Sequence, residues 1–203
     1  MKKITYIIIP LLISSCASKS TNDLKTDVLI KKIFSKNEID DLQKVFDFFN
    51  NEICNSNNQK LNECYNNYCL EIRSQIEKNV VFNTGLNFEK QKKLYEKLRN
   101  STFKEIWSFQ QSLPIRERKD TLKYLGLNYN GKYRKFLNES GNENKAIKNY
   151  AQAFNVNADL GPSMIAELGM NYKTFNTQDL KTKLIIAIHY LTLNDQNWRN
   201  EKY

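Results

Sequence analysis

Apolar residues recur every three or four positions along most of the chain, the spacing of amphipathic helices rather than of strands. Ile39, Leu42, Phe46, Phe49 and Ile53 fall on one helical face, while Asp40, Asp41, Lys44, Asp47 and Asn51 cover much of the rest. Ser35 followed three positions later by Glu38 has the form of a capping box. In that motif the hydroxyl accepts an N-terminal amide and the carboxylate reaches back to the cap, so a helix starts here. Leu24, Val28, Leu29 and Ile33 form a shorter stripe before it. After the polar run 55–60, Leu61, Tyr65, Tyr68, Ile72 and Ile76 make a second face, and the short connection predicts a helical hairpin.

The stretch 80–87 breaks the pattern with Asn83-Thr84-Gly85 and reads as a turn or a short extended piece. Phe88, Gln91, Leu94, Tyr95 and Leu98 resume it, with Lys90, Lys93 and Lys97 opposite. Thr102 and Glu105 repeat the capping-box spacing and predict a helix through Ile106, Trp107, Gln110 and Leu113, stopped by Pro114. Residues 115–125 predict another short helix, with Gly126 as its C-cap glycine. Asn130-Gly131 marks a turn, Tyr133, Phe136 and Leu137 a brief helix, and Ala146, Ile147, Tyr150, Ala153 and Phe154 the next. Gly161-Pro162 opens a small-residue helix through Met164, Ile165 and Leu168. Asn176 or Thr177 then caps a last helix over 179–193, whose stretch Leu184 to Ile188 is apolar on every side and belongs at the centre of a core. The expectation is a compact all-α domain of seven or eight helices opening on a helical hairpin.

Composition agrees with that class. Six Gly and three Pro are few for a many-stranded sandwich, and 40% hydrophobic content with eleven Tyr and eleven Phe is enough for one core. Cys64 and Cys69 lie on one helix, directed about 140° apart, so they cannot bridge each other while the helix is continuous. Cys54, at the end of the preceding helix, is the partner required for any intrachain bond among the three. The hairpin register places Cys64 about one turn away and Cys69 more than two turns away, which selects Cys54–Cys64. The competing reading is three buried thiols. A metal centre is not expected, since these spacings do not match zinc knuckles and the chain has one histidine. No cofactor motif is present.

The first residues decide the compartment. Lys2 and Lys3 precede a short apolar run over 4–13, too short to span a membrane, as in a signal peptide. The four residues Ile13-Ser14-Ser15-Cys16 that follow resemble the lipobox of bacterial lipoproteins. That resemblance implies cleavage before Cys16 and lipidation of its sulfur, which holds the protein at a membrane. Ala17, where inner-membrane retention tends to show Asp, implies the outer membrane. The chain then divides into a signal peptide, 1–15, a lipidated tether, 16–23, and one helical domain, 24–203.

Charge narrows the partners. The precursor carries +9, and residues 90–135 hold thirteen bases and four acids, interleaved with Tyr95, Phe103, Trp107, Phe109, Tyr124, Tyr129 and Tyr133. Trp107 with Arg116, Arg118, Lys119 and Lys123 is the candidate binding patch. An envelope location favours an acidic protein, an anionic lipid or a wall polymer over nucleic acid. Ordinary solvated helix faces account for Lys90, Lys93 and Lys97 without a partner. His189, Glu105 and Glu167 are the titratable residues worth testing as a catalytic set, but no motif spacing pairs them, and His189 reads as a structural histidine. By analogy with small exported helical domains, the expected function is non-catalytic binding by an interaction protein of the immunity or inhibitor kind. The alternatives are an envelope-assembly lipoprotein binding wall polymer or lipid, and a cell-wall hydrolase.

Overall fold

The computed structural model describes residues 22–54, 59–78, 80, 82–111 and 121–202. The lipobox and Cys16, together with Arg116, Arg118 and Lys119, lie outside the described residues.

The fold is predominantly helical, with nine α-helices and a small three-stranded sheet among the described residues. A short 3-10 turn, Leu24–Thr26, leads into α1, Val28–Ile33, and then α2, Lys36–Ile53. The α2 capping box is present: Glu38 N–H donates to Ser35 Oγ at 3.4 Å and Ser35 N–H to Glu38 Oε2 at 2.6 Å. The next helix, α3, is Leu61–Glu77. It packs on α2 through Phe49, whose ring lies 5.7 Å from Tyr65 and 5.4 Å from Tyr68. Cys54 caps α2 and is disulfide-bonded to Cys64 in the first turn of α3, as the hairpin register predicts. Closing so short a loop is worth roughly 2–3 kcal/mol. Cys69 stays a free buried thiol, pushed up to about 12 by burial and so unreactive.

The chain then forms α4, Phe88–Glu96, and α5, Asn100–Ile106, followed by two antiparallel strands, β1, Trp107–Gln111, and β2, Leu122–Leu127. The strands correct the helices expected at 102–113 and 115–125 where those stretches are described: helix ends at Ile106, 107–111 and 122–125 are extended, and 112–120 lie outside the described residues. Thr102 sits inside α5 rather than at its start, and its hydroxyl donates to Asp41 Oδ2 at 2.8 Å. Trp107 and Phe109 alternate with Ser108 and Gln110, a period of two that the helical matches at Ile106, Trp107 and Gln110 had hidden. Gly126 is no C-cap. It pairs with Ser108 in mid-strand, and a Cβ there would collide with the Gln110 side chain.

The remaining helices are α6, Lys132–Ser140, α7, Lys145–Asn157, α8, Pro162–Met170, and α9, Leu180–Trp198, with β3, Glu201–Lys202, closing the sheet beside β2. Every residue of α9 from Thr182 to Asp195 is buried, with α2, α4 and β2 packed on it. The central helix is the one its all-round hydrophobicity predicts. Its cap is Asp179 rather than Asn176 or Thr177. No helix among the described residues is long and apolar enough to cross a membrane.

Candidate functional site

A helix-to-strand junction builds the site. The chain leaves α5 at Ile106, and Trp107 N–H still closes the last turn on the Phe103 carbonyl. From there side chains alternate, so Trp107 and Phe109 point to one face, while Phe103 stands a turn behind on the helix. The result is an aromatic cluster: Phe103 to Trp107 5.4 Å, Phe103 stacked on Phe109 at 5.7 Å, and Tyr95 of α4 5.1 Å from Trp107. These rings line an open cleft of about 610 Å³ between α4, α5, β1 and the residues after α9.

Buried hydrogen bonds hold the walls. Trp107 is fully buried and donates its indole N–H to Thr192 Oγ1 at 2.8 Å, pinning β1 to α9. Gln91 donates to the Tyr95 hydroxyl and the Leu191 carbonyl, both at 2.8 Å, and accepts from Asn194 at 2.8 Å, which ties α4 to the same helix. Trp107 therefore serves the expected patch from beneath, through the rings it supports, and the contact surface passes to Phe109, which is 37% exposed. Lys123 lies 4.2 Å over the Phe109 ring and 3.8 Å from Glu201.

Arg199 divides the region. Its guanidinium is bidentate on Asp195, with both contacts at 2.7 Å, and stands 4.9 Å from the Phe109 centroid and 5.6 Å from that of Phe88. Burial disfavours its charge, but Asp195 and Glu201 outweigh that and raise it, so it is cationic at any working pH. Burial pushes the Asp195 carboxyl up against the pull of Arg199. Beyond Arg199 a second cleft, about 550 Å³, is lined by Phe88, Trp198 and Lys92. Neither Arg199 nor Trp198 figured in the expected site, because Trp198 ends, and Arg199 caps, a helix whose pattern speaks only of core.

The cleft has an apolar floor and a charged rim, with Lys92, Lys104, Glu96 and Glu201 around it. Glu96 and Glu201 are both exposed, and Glu201 is ion-paired to Arg199 and Lys123. A general acid instead needs an apolar pocket to keep its proton. The three residues considered for catalysis do not line this cleft. Glu105 Oε2 accepts the Lys132 N–H at 2.8 Å and so caps α6. Glu167 accepts at 2.7 Å from Asn171, the residue that caps the end of its own helix. His189 is fully buried, with Nδ1 2.8 Å from the Tyr150 hydroxyl. Among the described residues no group of three or more His, Cys, Asp or Glu is placed to hold a metal ion. No protein-family model, curated protein or solved structure matches the chain.

Proposed function

We propose that the chain is an exported, lipid-anchored envelope protein that acts by binding another protein, in the manner of an immunity or inhibitor protein, and catalyses nothing. The aromatic cleft carries the reading: an apolar floor of Phe103, Trp107 and Phe109 inside a rim that includes Lys92 and Lys104 suits one large side chain of an acidic protein surface. The lipobox resemblance supports anchoring through Cys16, and the Cys54–Cys64 bond suits an oxidising compartment.

A second reading, binding of wall polymer, is favoured by one observation. Trp198 is 55% exposed beside Phe88 and offers a flat ring for stacking on sugars.

The test is photocrosslinking in intact cells with benzoylphenylalanine in place of Phe109. A protein adduct is expected there and not with the same group at Val156, which is 83% exposed on α7. Equal adducts at both positions, or none, reject the cleft as the binding site, and wall fragments at Phe109 select the second reading. Cys16→Ala should release the protein from the membrane fraction or leave the precursor uncleaved, and full retention of that variant with normal cleavage rejects the anchor.

A further inference from the structure

β1 is an edge strand, because the sheet order is β1-β2-β3. Which of its backbone groups face outward follows from the bonds around it. Asn128 N–H donates to the Ile106 carbonyl at 2.8 Å. In an antiparallel ladder this makes Ser108–Gly126 and Gln110–Tyr124 the hydrogen-bonded pairs, and Trp107–Leu127, Phe109–Leu125 and Gln111–Lys123 the pairs whose N–H and C=O point away from each other. The β2 half of that alternation is satisfied from outside: Leu127 N–H donates to Asp159 Oδ1 at 3.0 Å and the Leu125 carbonyl accepts from Gln196 Nε2 at 2.9 Å. On β1, Trp107 N–H is used by the α5 cap. Among the described residues nothing meets the outward N–H and C=O of Phe109 and Gln111.

Edge strands are normally blunted by lysine, proline, an inward charge or a bulge. β1 reads Trp-Ser-Phe-Gln-Gln, with none of these residues and with an unbroken register. The same strand supplies Trp107 and Phe109 to the cleft, so a chain laid along its edge has side-chain room on alternate positions.

Charge selects the occupant. Lys104 stands at the cleft with no acidic partner among the described residues, and Lys123 covers Phe109. A second copy of this chain pairing β1 with β1 would set these bases against their own equivalents. We infer that β1 takes up an extended, acidic segment of the partner protein as a fourth strand, with apolar side chains on alternate positions entering the aromatic cleft. This rests on the protein-binding reading and names how the partner is held.

The probe is a short synthetic peptide alternating Glu with Val and Leu, compared with its Lys-for-Glu counterpart and with a form N-methylated on alternate residues. Titrated into the folded domain, the acidic peptide should slow hydrogen exchange at the Phe109 and Gln111 amides, and the lysine peptide should not. Gln111→Pro removes an outward N–H and leaves the β2 ladder whole. With the melting temperature checked, that variant and the N-methylated peptide should each weaken binding roughly tenfold, about one hydrogen bond's worth. If both bind at full affinity while Phe103→Ala abolishes binding, strand addition is wrong and the cleft reading survives. No binding of the acidic peptide at millimolar concentration overturns the acidic-strand proposal outright. A dimer that Gln111→Pro dissolves makes a second copy the occupant, also against it.

Discussion

The imidazole of His189 is closed off from water inside α9, with Tyr190 packed edge-on at 4.8 Å and Nε2 without a hydrogen-bond partner among the described residues. Burial with no anion nearby pulls its pKa down from 6.5 to about 3. The unfolded chain therefore binds a proton that the folded one refuses as pH falls from 6.5 towards 3, so stability rises with pH through that window and is lost on acidification. At about 1.4 kcal/mol per unit of separation, the full effect amounts to several kcal/mol. Asp159 and Asp195 oppose it at the acid end, since burial raises both and makes the folded state hold their protons more tightly. The clean interval is pH 6.5 to 5. There the wild-type melting temperature should fall while that of His189→Gln stays nearly level, and parallel profiles would show that His189 does not titrate as its burial requires. The same burial is why a lone histidine in an apolar helix is no general base here.

At the scale of elements, two carboxylates cap helices they do not belong to. Asp41 on α2 is fully buried and accepts from Lys44 Nζ at 2.7 Å, Thr102 Oγ1 at 2.8 Å and Arg99 N–H at 3.1 Å, so it closes the start of α5. Burial alone would raise its carboxyl, but these donors outweigh burial and hold it below the ordinary value. Glu105 on α5 caps α6 in the same way, and Gly131 is required beside it because a Cβ would strike the Glu105 carbonyl oxygen. Asp41→Ala leaves a buried hydroxyl and amide unpaired and should cost about 2 kcal/mol, whereas Glu105→Ala loses one cap and should cost about 1 kcal/mol. Denaturant unfolding measures both, and a Glu105→Ala loss above that for Asp41→Ala would reverse the ranking. Such cross-element caps explain what the sequence concealed. Ser35 and Glu38 form a capping box three residues apart and could be read directly. Thr102 and Glu105 have the same spacing, yet each bonds a different element, so the spacing alone pointed to a helix start that does not exist. Helices α2 and α9 were legible because their patterns run for several turns. The strands β1 and β2 were not, since five or six residues carry too few periods to outweigh accidental helical matches.

The whole molecule gathers what no single stretch contains. The cleft draws Tyr95, Phe103, Phe109 and Arg199 from α4, α5, β1 and the residues after α9, so its existence was legible only as a basic, aromatic-rich segment around Trp107. Folding also sorts that segment's charges. Lys90 is paired to Glu52, Lys132 to Glu38 and Lys135 to Glu139, whereas Lys93, Lys97 and Lys104 have no acidic partner among the described residues. The unpaired bases are the ones able to attract an acidic partner, and their reach is a Debye length, about 8 Å at physiological salt. Reversing Lys97 and Lys104 together to Glu should slow association roughly tenfold, the lower end of electrostatic steering, and flatten its dependence on salt. The melting temperature should barely move, because Lys104 gives up no ion pair and exposed pairs contribute about 0 to 1 kcal/mol in any case. Stopped-flow association across a salt series separates the two effects. A folded double variant that associates at the native rate would leave this surplus of charge as solvated helix faces, and the acidic partner would lose its electrostatic basis.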